Sequence, residues 1–379
     1  MTNNFAGVDG RVDIIVIGAG IAGASAAAEL AADARLVLVE TEAQPGYHAT
    51  GRSAAYYAPS YGNDVVRNLT RASENFFYHP PAGFSESPLI RDRQALFIAR
   101  PDQAASFAAM QAENPALVRL GAAELLTHVP VLKRDALAQG LLDVIGGDLD
   151  VDAILQGYLR LLRQRGGQML LKSPVSSLAY ADGCWQVQAG QVLLKAPLVI
   201  NAAGAWADPL ANMAGLGSLG LVPKRRTALL VDAPAGLDIK DWPLVIDVDE
   251  QLYFKPDAGQ LLVSPADETP SAPMDAWPEE LDIAIAIDRL LQVVDLDVKT
   301  VNQRWAGLRT FAPDKTFVVG PDPRAEGFFW LAGQGGYGVQ SSPGMAHLVR
   351  HLVLGSTLPA DFADVSKSIE AVAPARLLG

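Results

Sequence analysis

The chain has 379 residues, of which 50% are hydrophobic and 19% are charged, and its formal net charge is −12. This apolar content is sufficient for a large core and excludes a mainly disordered chain, while the acidic balance argues against a nucleic-acid binder, which needs a basic face for phosphates. The only cysteine, Cys184, excludes an internal disulfide and a cysteine-rich zinc site. These properties favour a cytoplasmic protein.

The N-terminal segment has the pattern of a βαβ unit. Val12–Gly18 is a nearly continuous apolar run, which predicts a parallel strand buried on both faces. Small residues predict a helix over Ile21–Ala32, and a second strand is predicted over Ala34–Glu40. The same segment could be the apolar part of a signal peptide, but no net positive charge precedes it. It is also shorter than the ~20 apolar residues that span a bilayer.

Three glycines between the first strand and the helix complete a dinucleotide-binding fingerprint. Gly18 permits a tight turn, Gly20 lets the backbone approach a pyrophosphate, and Gly23 allows close packing of helix and strand. The N–H groups that begin the helix can bind the phosphates. Glu40, 22 residues after the first glycine, can accept hydrogen bonds from a ribose hydroxyl.

A second match to the same glycine pattern has a different context. Gly215–Gly220 follows a helical stretch, Ala205–Ala214, and no helix pattern opens after it. We therefore expect a loop there, without a second dinucleotide.

The rest of the chain predicts a mixed order of helices and strands. Helices are expected over Asp64–Phe77, Asp152–Arg165, Pro278–Val294 and Val339–Leu354, and strands over Gln168–Lys172, Trp185–Gln188, Val192–Lys195, Leu198–Asn201, Phe317–Gly320 and Phe328–Ala332. Residues 221–264 resemble strands broken by turns, and the tail after Pro359 is expected to be loosely held.

A second glycine cluster, Gly333–Gly338, precedes the last predicted helix. Its glycines allow close backbone approach, and a helix N-terminus can face a ligand there. The cluster follows a strand hundreds of residues after the fingerprint. A chain that returns to the ligand-binding edge of the sheet can close the site around a long cofactor, so the cluster favours FAD over NAD.

Segments along most of the chain carry a family resemblance, from roughly Asp13 to His351: VIGAGIAGAS, EAQPGYHATGRSAAYY, HPPAGF, NAAGAWAD, PKRR, LYFKPD, WAGLRTF and EGFFWLAGQGGYGVQ. With these the chain resembles the glycine oxidase, sarcosine oxidase and D-amino acid oxidase superfamily. Within its D-amino-acid-oxidising branch, the chain is most similar to the bacterial D-arginine dehydrogenases.

The resemblance implies an α/β fold with a Rossmann-like FAD-binding domain and a second, substrate-binding domain built on a mixed β-sheet. The expected boundaries are residues 1–82, 140–218 and 305–379 for the FAD-binding domain, and 83–139 and 219–304 for the substrate-binding domain.

The resemblance also implies FAD, held non-covalently because the C-terminal glycine loop has no cysteine. The residues expected to hold it are Gly18, Gly20, Ile21, Ala22, Gly23, Glu40, Thr41, Ala49, Thr50, Gly51, Arg52, Ser53, Ala54, Ala55, Tyr56, Val175, Ala203, Gly204, Gly335, Gly336, Tyr337, Gly338, Val339 and Gln340.

The substrate side is expected to bind a carboxylate, which the fork of an arginine matches bidentately. By resemblance the candidates are Arg309, Arg226 and Tyr253, with Tyr61 as a wall or lid of the pocket. Gly336 and Gln340 are further candidates near the reacting atoms. Each arginine could instead form a surface ion pair, and each tyrosine could be a core phenol.

Two positions depart from the arginine-oxidising members. Tyr56 stands where those members have a histidine near the flavin. Ala95 stands where they have a carboxylate for the substrate's guanidinium, and Glu86 could replace that carboxylate only if its loop folds back. Burying a cation without an anion is costly, so neutral side chains are favoured.

The implied activity is oxidative deamination of a D-amino acid to a 2-oxo acid and ammonia, with hydride transfer from Cα to flavin N5. The alternatives are a glycine, sarcosine or 2-hydroxy acid oxidase of the same fold, and a non-catalytic flavin- or partner-binding module. The expected partner is a small-molecule substrate, without nucleic acid or a transmembrane segment. The electron acceptor stays open between O₂, a quinone and another carrier, and a quinone would place the protein peripherally at a membrane.

Overall fold

The structure, a computed structural model, describes residues 10–378. Its helices are α1 (Ile21–Leu30), α2 (Asp64–Ala72), α3 (Glu74–Tyr78), α4 (Ala104–Glu113), α5 (Ala122–His128), α6 (Val151–Gln164), α7 (Ala207–Met213), α8 (Glu280–Val293), α9 (Ser342–Leu354), α10 (Ala363–Ser366) and α11 (Ile369–Val372).

The strands form four sheets within the described range. In chain order they are β1 (Ile14–Ile17), β2 (Leu36–Val39), β3 (Tyr56–Tyr57), β4 (Ile90–Asp92), β5 (Ala95–Ala99), β6 (Val118–Gly121), β7 (Gln139–Asp143), β8 (Gly147–Leu149), β9 (Gln168–Leu170), β10 (Val175–Ala181), β11 (Cys184–Ala189), β12 (Val192–Ala196), β13 (Leu198–Asn201), β14 (Val222–Asp232), β15 (Leu244–Asp247), β16 (Tyr253–Asp257), β17 (Gln260–Ser264), β18 (Thr269–Pro270), β19 (Val301–Phe311), β20 (Val318–Pro321) and β21 (Phe328–Ala332).

A six-stranded sheet carries the dinucleotide unit. Its order is β20-β21-β13-β1-β2-β9, parallel throughout except for the antiparallel pair β20–β21. Ile14 and Val16 of β1 pack into the core on one face, and Ile15 and Ile17 pack into the core on the other. Burial on both faces is the reason why this strand is an unbroken apolar run. Helix α1 packs between the sheet and helices α6 and α9, so the predicted βαβ unit is confirmed.

The second large sheet is mixed. Its order is β18-β14-β17-β16-β15-β5-β7-β6, with β19 paired to β14, and β5 runs parallel to β15 while the other pairs are antiparallel. Leu96 and Ile98 of β5 face one core cluster, and Ala95 and Phe97 face another. A Rossmann-like sheet combined with a mixed sheet confirms the predicted fold class.

The domain boundaries stay a prediction. Strands β7 and β19 pair within the mixed sheet, although most of their residues fall in segments that were expected to belong to the FAD-binding domain.

Several elements differ from their predicted bounds. The predicted helix Asp64–Phe77 is divided into α2 and α3 at Ser73. The buried Ser73 hydroxyl donates to the Leu69 carbonyl at 2.7 Å and accepts from the Gly344 N–H at 2.9 Å. The last long helix begins at Ser342 rather than at residue 339. The predicted loop at residues 215–220 is confirmed, since it lies between α7 and β14.

The prediction of a loosely held tail was wrong for the described residues after Pro359. Phe362, Val365 and Val372 are at most 2% exposed and pack into the core beside α2 and α9. Arg376 also donates to the Asp314 carboxylate, with Nε at 2.7 Å from Oδ2. Apolar side chains spaced along short helices therefore anchor this end of the chain.

Candidate active site

A cavity with a volume of about 480 Å³ extends from the C-terminal ends of β1 and β2 to strands β14, β16 and β19 of the mixed sheet. Its wall includes most residues of two segments, 17–21 and the loop at 46–53, together with residues 202–206 and Gly307–Thr310. The C-terminal glycine loop closes another side through Gln334, Gly335, Gly336 and Gly338. Segments far apart in sequence thus surround one elongated space.

Glycines shape the tight turn at the start of α1, where Gly18 and Gly20 line the cavity. Gly18 has φ +106°, and a Cβ there would lie 2.4 Å from the Ala202 carbonyl oxygen. A Cβ on Gly23 would lie 1.9 Å from the Gly18 carbonyl oxygen. Glu40 accepts the Ala19 N–H at 2.8 Å, so its carboxylate is held beside this turn and keeps lone pairs for further donors.

The loop at residues 46–53 lies along the middle of the cavity. The Gly46 N–H donates to the Ala19 carbonyl at 3.0 Å, and the Thr50 hydroxyl accepts the Ile21 N–H at 3.0 Å. These bonds fasten the loop to the first turn of α1. Ala49, Arg52 and Ser53 also line the cavity.

Two buried polar groups in the cavity wall fit a bound polar cofactor. Within residues 10–378, the Thr310 hydroxyl and the Gln334 amide nitrogen have no hydrogen-bond partner. A buried polar group without a partner costs free energy, so such groups commonly mark a ligand. Together with the space above Gly18 and Gly20, they fit a dinucleotide.

The other end of the cavity carries two arginines and a phenol. In the described part of the chain, the Arg309 guanidinium has no hydrogen bond or ion pair with a protein group, and it lines the cavity. A Cβ on Gly336 would lie 2.8 Å from its Nη1, so only glycine leaves the guanidinium in place. Arg226 donates to the Asp267 carbonyl at 2.8 Å, and its Nη2 lies 3.4 Å from Glu268 Oε1.

The electrostatic environment at this end is positive. Burial, and then the charge of Arg226, lower the pKa of the Arg309 guanidinium. Burial alone would raise the pKa of the Tyr253 phenol, but the charges of Arg309 and Arg226 bring it below its ordinary value. The arrangement can therefore bind an anionic group between Arg309 and Tyr253.

Most of the predicted residues lie in the cavity wall. These are Gly18, Gly20, Ile21, Ala22, Glu40, Thr41, Ala49, Thr50, Arg52, Ser53, Val175, Ala203, Gly204, Arg226, Tyr253, Arg309, Gly335, Gly336, Gly338 and Val339.

Eight predicted residues lie outside the wall. They are Gly23, Gly51, Ala54, Ala55, Tyr56, Tyr61, Tyr337 and Gln340. Gly23 and Gly51 shape the wall indirectly, because a Cβ on them would strike the carbonyl oxygens of Gly18 and Gly46 at 1.9 and 2.7 Å. Ala54 and Ala55 follow the loop where the chain turns away toward β3.

The polar side chains outside the wall have protein partners instead. Gln340 accepts the Ala58 N–H and donates to the Thr70 hydroxyl, each at 3.1 Å, which satisfies its amide. The Tyr56 hydroxyl donates to the Arg93 carbonyl at 2.5 Å.

Tyr61 is not among the residues that line the cavity, and a carboxylate holds its hydroxyl. Its hydroxyl donates to Glu250 at 2.8 Å, and its ring lies 5.2 Å from the ring of Tyr337. The two rings thus pack on one another, close enough to Arg309 for both phenols to influence the pKa of its guanidinium.

Half of the residues that line the cavity escaped prediction, among them three aromatic side chains and the polar Thr310 and Gln334. The rings of Tyr47, His48 and Trp206 form a row, with centroid distances of 5.0 and 4.7 Å. His48 Nε2 lies 3.0 Å from Glu42 Oε1. The position of Tyr47 and His48 directly before the small-residue loop was the available signal, whereas nothing local marks the side-chain direction of Trp206.

Residues 13–352 match the family described as FAD-dependent oxidoreductase, or DAO. The chain belongs to this family. FAD is therefore its cofactor, and the glycine turns and unsatisfied polar groups of the cavity fit that cofactor.

Three known proteins illustrate the similarity. Human mitochondrial dimethylglycine dehydrogenase is 23% identical over 261 residues, which cover 62% of this chain and 29% of that protein. N-methyl-L-tryptophan oxidase of Salmonella typhimurium is 24% identical, over 92% of this chain and 96% of that enzyme. The crystal structure of Geobacillus kaustophilus glycine oxidase aligns with a TM-score of 0.82 at 20% identity, over 94% of this chain and 98% of that one.

The chain spans about three tenths of the length of the dimethylglycine dehydrogenases that it matches. Within residues 10–378, no helix has both the length and the apolar character needed to cross a membrane.

Proposed function

We propose that the protein oxidises the Cα–N bond of a D-amino acid with a neutral side chain and so yields a 2-oxo acid and ammonia. The observation that carries this proposal is the partnerless guanidinium of Arg309, which lines the cavity beside Tyr253. A planar carboxylate is the anion that an arginine fork binds bidentately. The names of relatives that act on dimethylglycine, N-methyl-L-tryptophan and glycine support an amino-acid-type substrate.

The residues at this end would act by binding and orientation. Arg309 and Tyr253 would hold the carboxylate, and Arg226 would add positive charge from the same side. Bound FAD supplies the chemistry of accepting the substrate's electron pair. Gly336 would keep the Arg309 guanidinium accessible, since a larger residue would displace it.

The substrate amine has to lose its proton before the C–N bond is oxidised. The apolar cavity would favour the neutral amine, because desolvation lowers the pKa of an ammonium group. The proton would pass to water. The imine would take up water, which releases ammonia and leaves the 2-oxo acid.

An apolar sheet surface continues from Tyr253 just outside the residues that line the cavity, and it favours a neutral substrate side chain. Ile246 lies opposite Tyr253 on β16, and Phe97 lies opposite Ile246 on β5. Ala95 and Leu244 are opposite one another in the adjacent row. Because residues opposite each other on neighbouring strands share a face, the face that carries Tyr253 continues into these apolar side chains.

The carboxylates near this surface, the half-buried Asp148 and the buried Asp143, already have partners. Asp148 binds Arg93 at 2.5 Å and Lys255 at 2.6 Å. Asp143 accepts the Ser60 hydroxyl at 2.6 Å. A substrate cation could pair with Asp148 only by displacing Arg93 or Lys255, which is costly.

An anaerobic screen for bleaching of the bound flavin tests the proposal. D-isomers of methionine, leucine and phenylalanine should bleach the flavin faster than D-arginine, their L-isomers, N-methyl amino acids or 2-hydroxy acids. A preference for N-methylated amino acids or for 2-hydroxy acids would favour the other enzymes of this fold. Bleaching by no compound would favour a non-catalytic flavin-binding module.

Substitution of Ala95 tests the side-chain specificity. Ala95→Glu should raise kcat/KM for D-arginine and D-lysine relative to D-leucine, because the carboxylate would meet the substrate's cation. Ala95→Gln has the same size without the charge and should not produce this shift. Wild-type protein that prefers D-arginine by tenfold or more would contradict the proposal. The solvent-exposed Glu86 and Glu250 would then be tested as anions.

A further inference from the structure

Residues 271–278, the segment between β18 and α8, cover one side of the cavity. Met274 and Ala276 line the cavity, while the side chain of Asp275 between them points elsewhere. Ala276 is 4% exposed and packs in a small apolar cluster with Ala205 and Leu308. The inner side of the segment is therefore part of the wall.

The outer side of the segment is weakly packed. Trp277, which does not line the cavity, is 69% exposed. At its beginning, one backbone bond of 2.9 Å joins the Ser271 N–H to the Pro223 carbonyl. Sparse packing makes local opening of such a segment inexpensive unless another contact holds it.

Polar contacts join this segment to the loop that lies along the cavity. The Asp275 carboxylate forms an ion pair with the Arg52 guanidinium and accepts the Tyr47 hydroxyl at 3.1 Å. Arg52 also donates to the Ala276 carbonyl at 2.8 Å and to the Ala306 carbonyl at 2.9 Å. Its guanidinium lies 5.2 Å from the centre of the Tyr47 ring, which adds a cation–π contact.

We propose that Asp275 is a latch that closes residues 271–278 over the FAD cavity and thereby sets the rate at which FAD leaves. Asp275 is not among the residues that line the cavity, so it acts as a positioning residue through Arg52 and Tyr47. The inference rests on the family's cofactor and goes beyond the proposed reaction, because retention of FAD does not depend on which substrate is oxidised.

Exposure of the latch predicts its sensitivity to salt. The Arg52 side chain is 15% exposed, but that of Asp275 is 57% exposed. Mobile ions can therefore screen the pair, unlike a fully buried one. Higher ionic strength should weaken the latch without disturbing the apolar contacts of Ala276.

The test measures FAD release from the purified holoprotein, followed as the rise of flavin fluorescence after dilution. Asp275→Asn should raise the dissociation rate constant by about three- to tenfold, in line with loss of a charge-assisted pair at a half-exposed site. In the wild type, raising ionic strength should accelerate release, and the variant should lose most of this dependence. Ser271→Ala, in the same segment, removes a hydroxyl that bonds only to the Ala272 carbonyl and should release FAD at the wild-type rate.

A second variant keeps the test decisive if Asp275→Asn folds poorly. Tyr47→Phe removes only the hydroxyl that Asp275 accepts, and it should raise the rate constant by about twofold. Release that is unchanged in both variants, or a salt dependence that Asp275→Asn retains, would overturn the latch. Flavin that stays attached after acid denaturation would also overturn the latch, because covalently bound flavin could not be released by opening of the segment. None of these outcomes bears on the substrate screen, so failure of the latch is distinct from failure of the proposed reaction.

Discussion

At the scale of single residues, Arg309 differs from the other arginine of its strand, Arg304, in having no anionic partner among the described residues. On the same strand, Arg304 pairs with the exposed Glu280 at 2.8 Å, as most surface arginines do. Arg309 lies in the cavity without an anion from residues 10–378. A desolvated cation without a partner is costly, so the site gains most when a ligand supplies the anion.

Arg309→Met should leave FAD bound and remove recognition of the substrate's carboxylate. Loss of a buried charged pair is expected to lower kcat/KM by about 3–5 kcal/mol, which is on the order of a hundred- to several thousand-fold. The flavin spectrum checks cofactor binding, and steady-state kinetics on the preferred amino acid check the effect. Arg304→Met, five residues earlier on the same strand, is the matched control. Full activity in Arg309→Met would transfer the role to Arg226.

At the scale of elements, the start of α1 depends on contacts with its own turn and with β13. Gly18 faces the Ala202 carbonyl just after β13, and Gly23 faces the Gly18 carbonyl across the first turn of the helix. The helix cannot move outward to relieve a clash, because α6 and α9 pack against it.

Gly23→Ala should destabilise the protein and weaken FAD binding. Alanine gains about 1 kcal/mol of helix propensity over glycine, but its Cβ would lie 1.9 Å from the Gly18 carbonyl oxygen. We expect the clash to prevail, with a net loss of about 1–3 kcal/mol in the free energy of unfolding and an increase of tenfold or more in the Kd for FAD. Denaturant unfolding and flavin titration measure the two effects.

A control on the same helix is Ser25→Ala, whose hydroxyl bonds only to the Ala22 carbonyl at 3.2 Å. It should change neither quantity appreciably. Gly23→Ala protein that is as stable as the wild type, with the wild-type Kd for FAD, would mean that the turn can adjust.

At the scale of the whole molecule, the cavity joins segments from Ile17 to Val339 and both large sheets. A ligand that fills it contacts the dinucleotide unit, the mixed sheet and the C-terminal glycine loop at once. Binding to the folded state alone stabilises by RT ln(1 + [L]/Kd).

FAD should therefore raise the unfolding temperature of the apoprotein as a function of free FAD. At a free concentration a hundred times Kd, the gain is about 2.7 kcal/mol. Calorimetry across a series of FAD concentrations measures it, and riboflavin, which lacks the phosphates and adenine, should give a smaller rise. An unfolding temperature that is independent of FAD would contradict assembly of the site in the folded state.

The sequence alone determined the elements whose patterns are local. The apolar run of β1, the glycine turn and helix α1 follow from residues within thirty positions, and β13 and β21 begin and end where their apolar runs do. Arg309 and Tyr253 were accessible to prediction because short motifs carry them.

Only the tertiary structure decided which partners the polar side chains bind. Tyr61 and Gln340 satisfy their polar groups with Glu250 and Thr70, which lie 189 and 270 positions away. The helix break at Ser73 depends on the backbone of Gly344, 271 positions later. Residues 275 and 276 likewise find their polar partner in Arg52, 223 and 224 positions earlier. Such outcomes escape a local pattern because the free energy of a buried polar group is set by its partner in space, and folding alone brings that partner near.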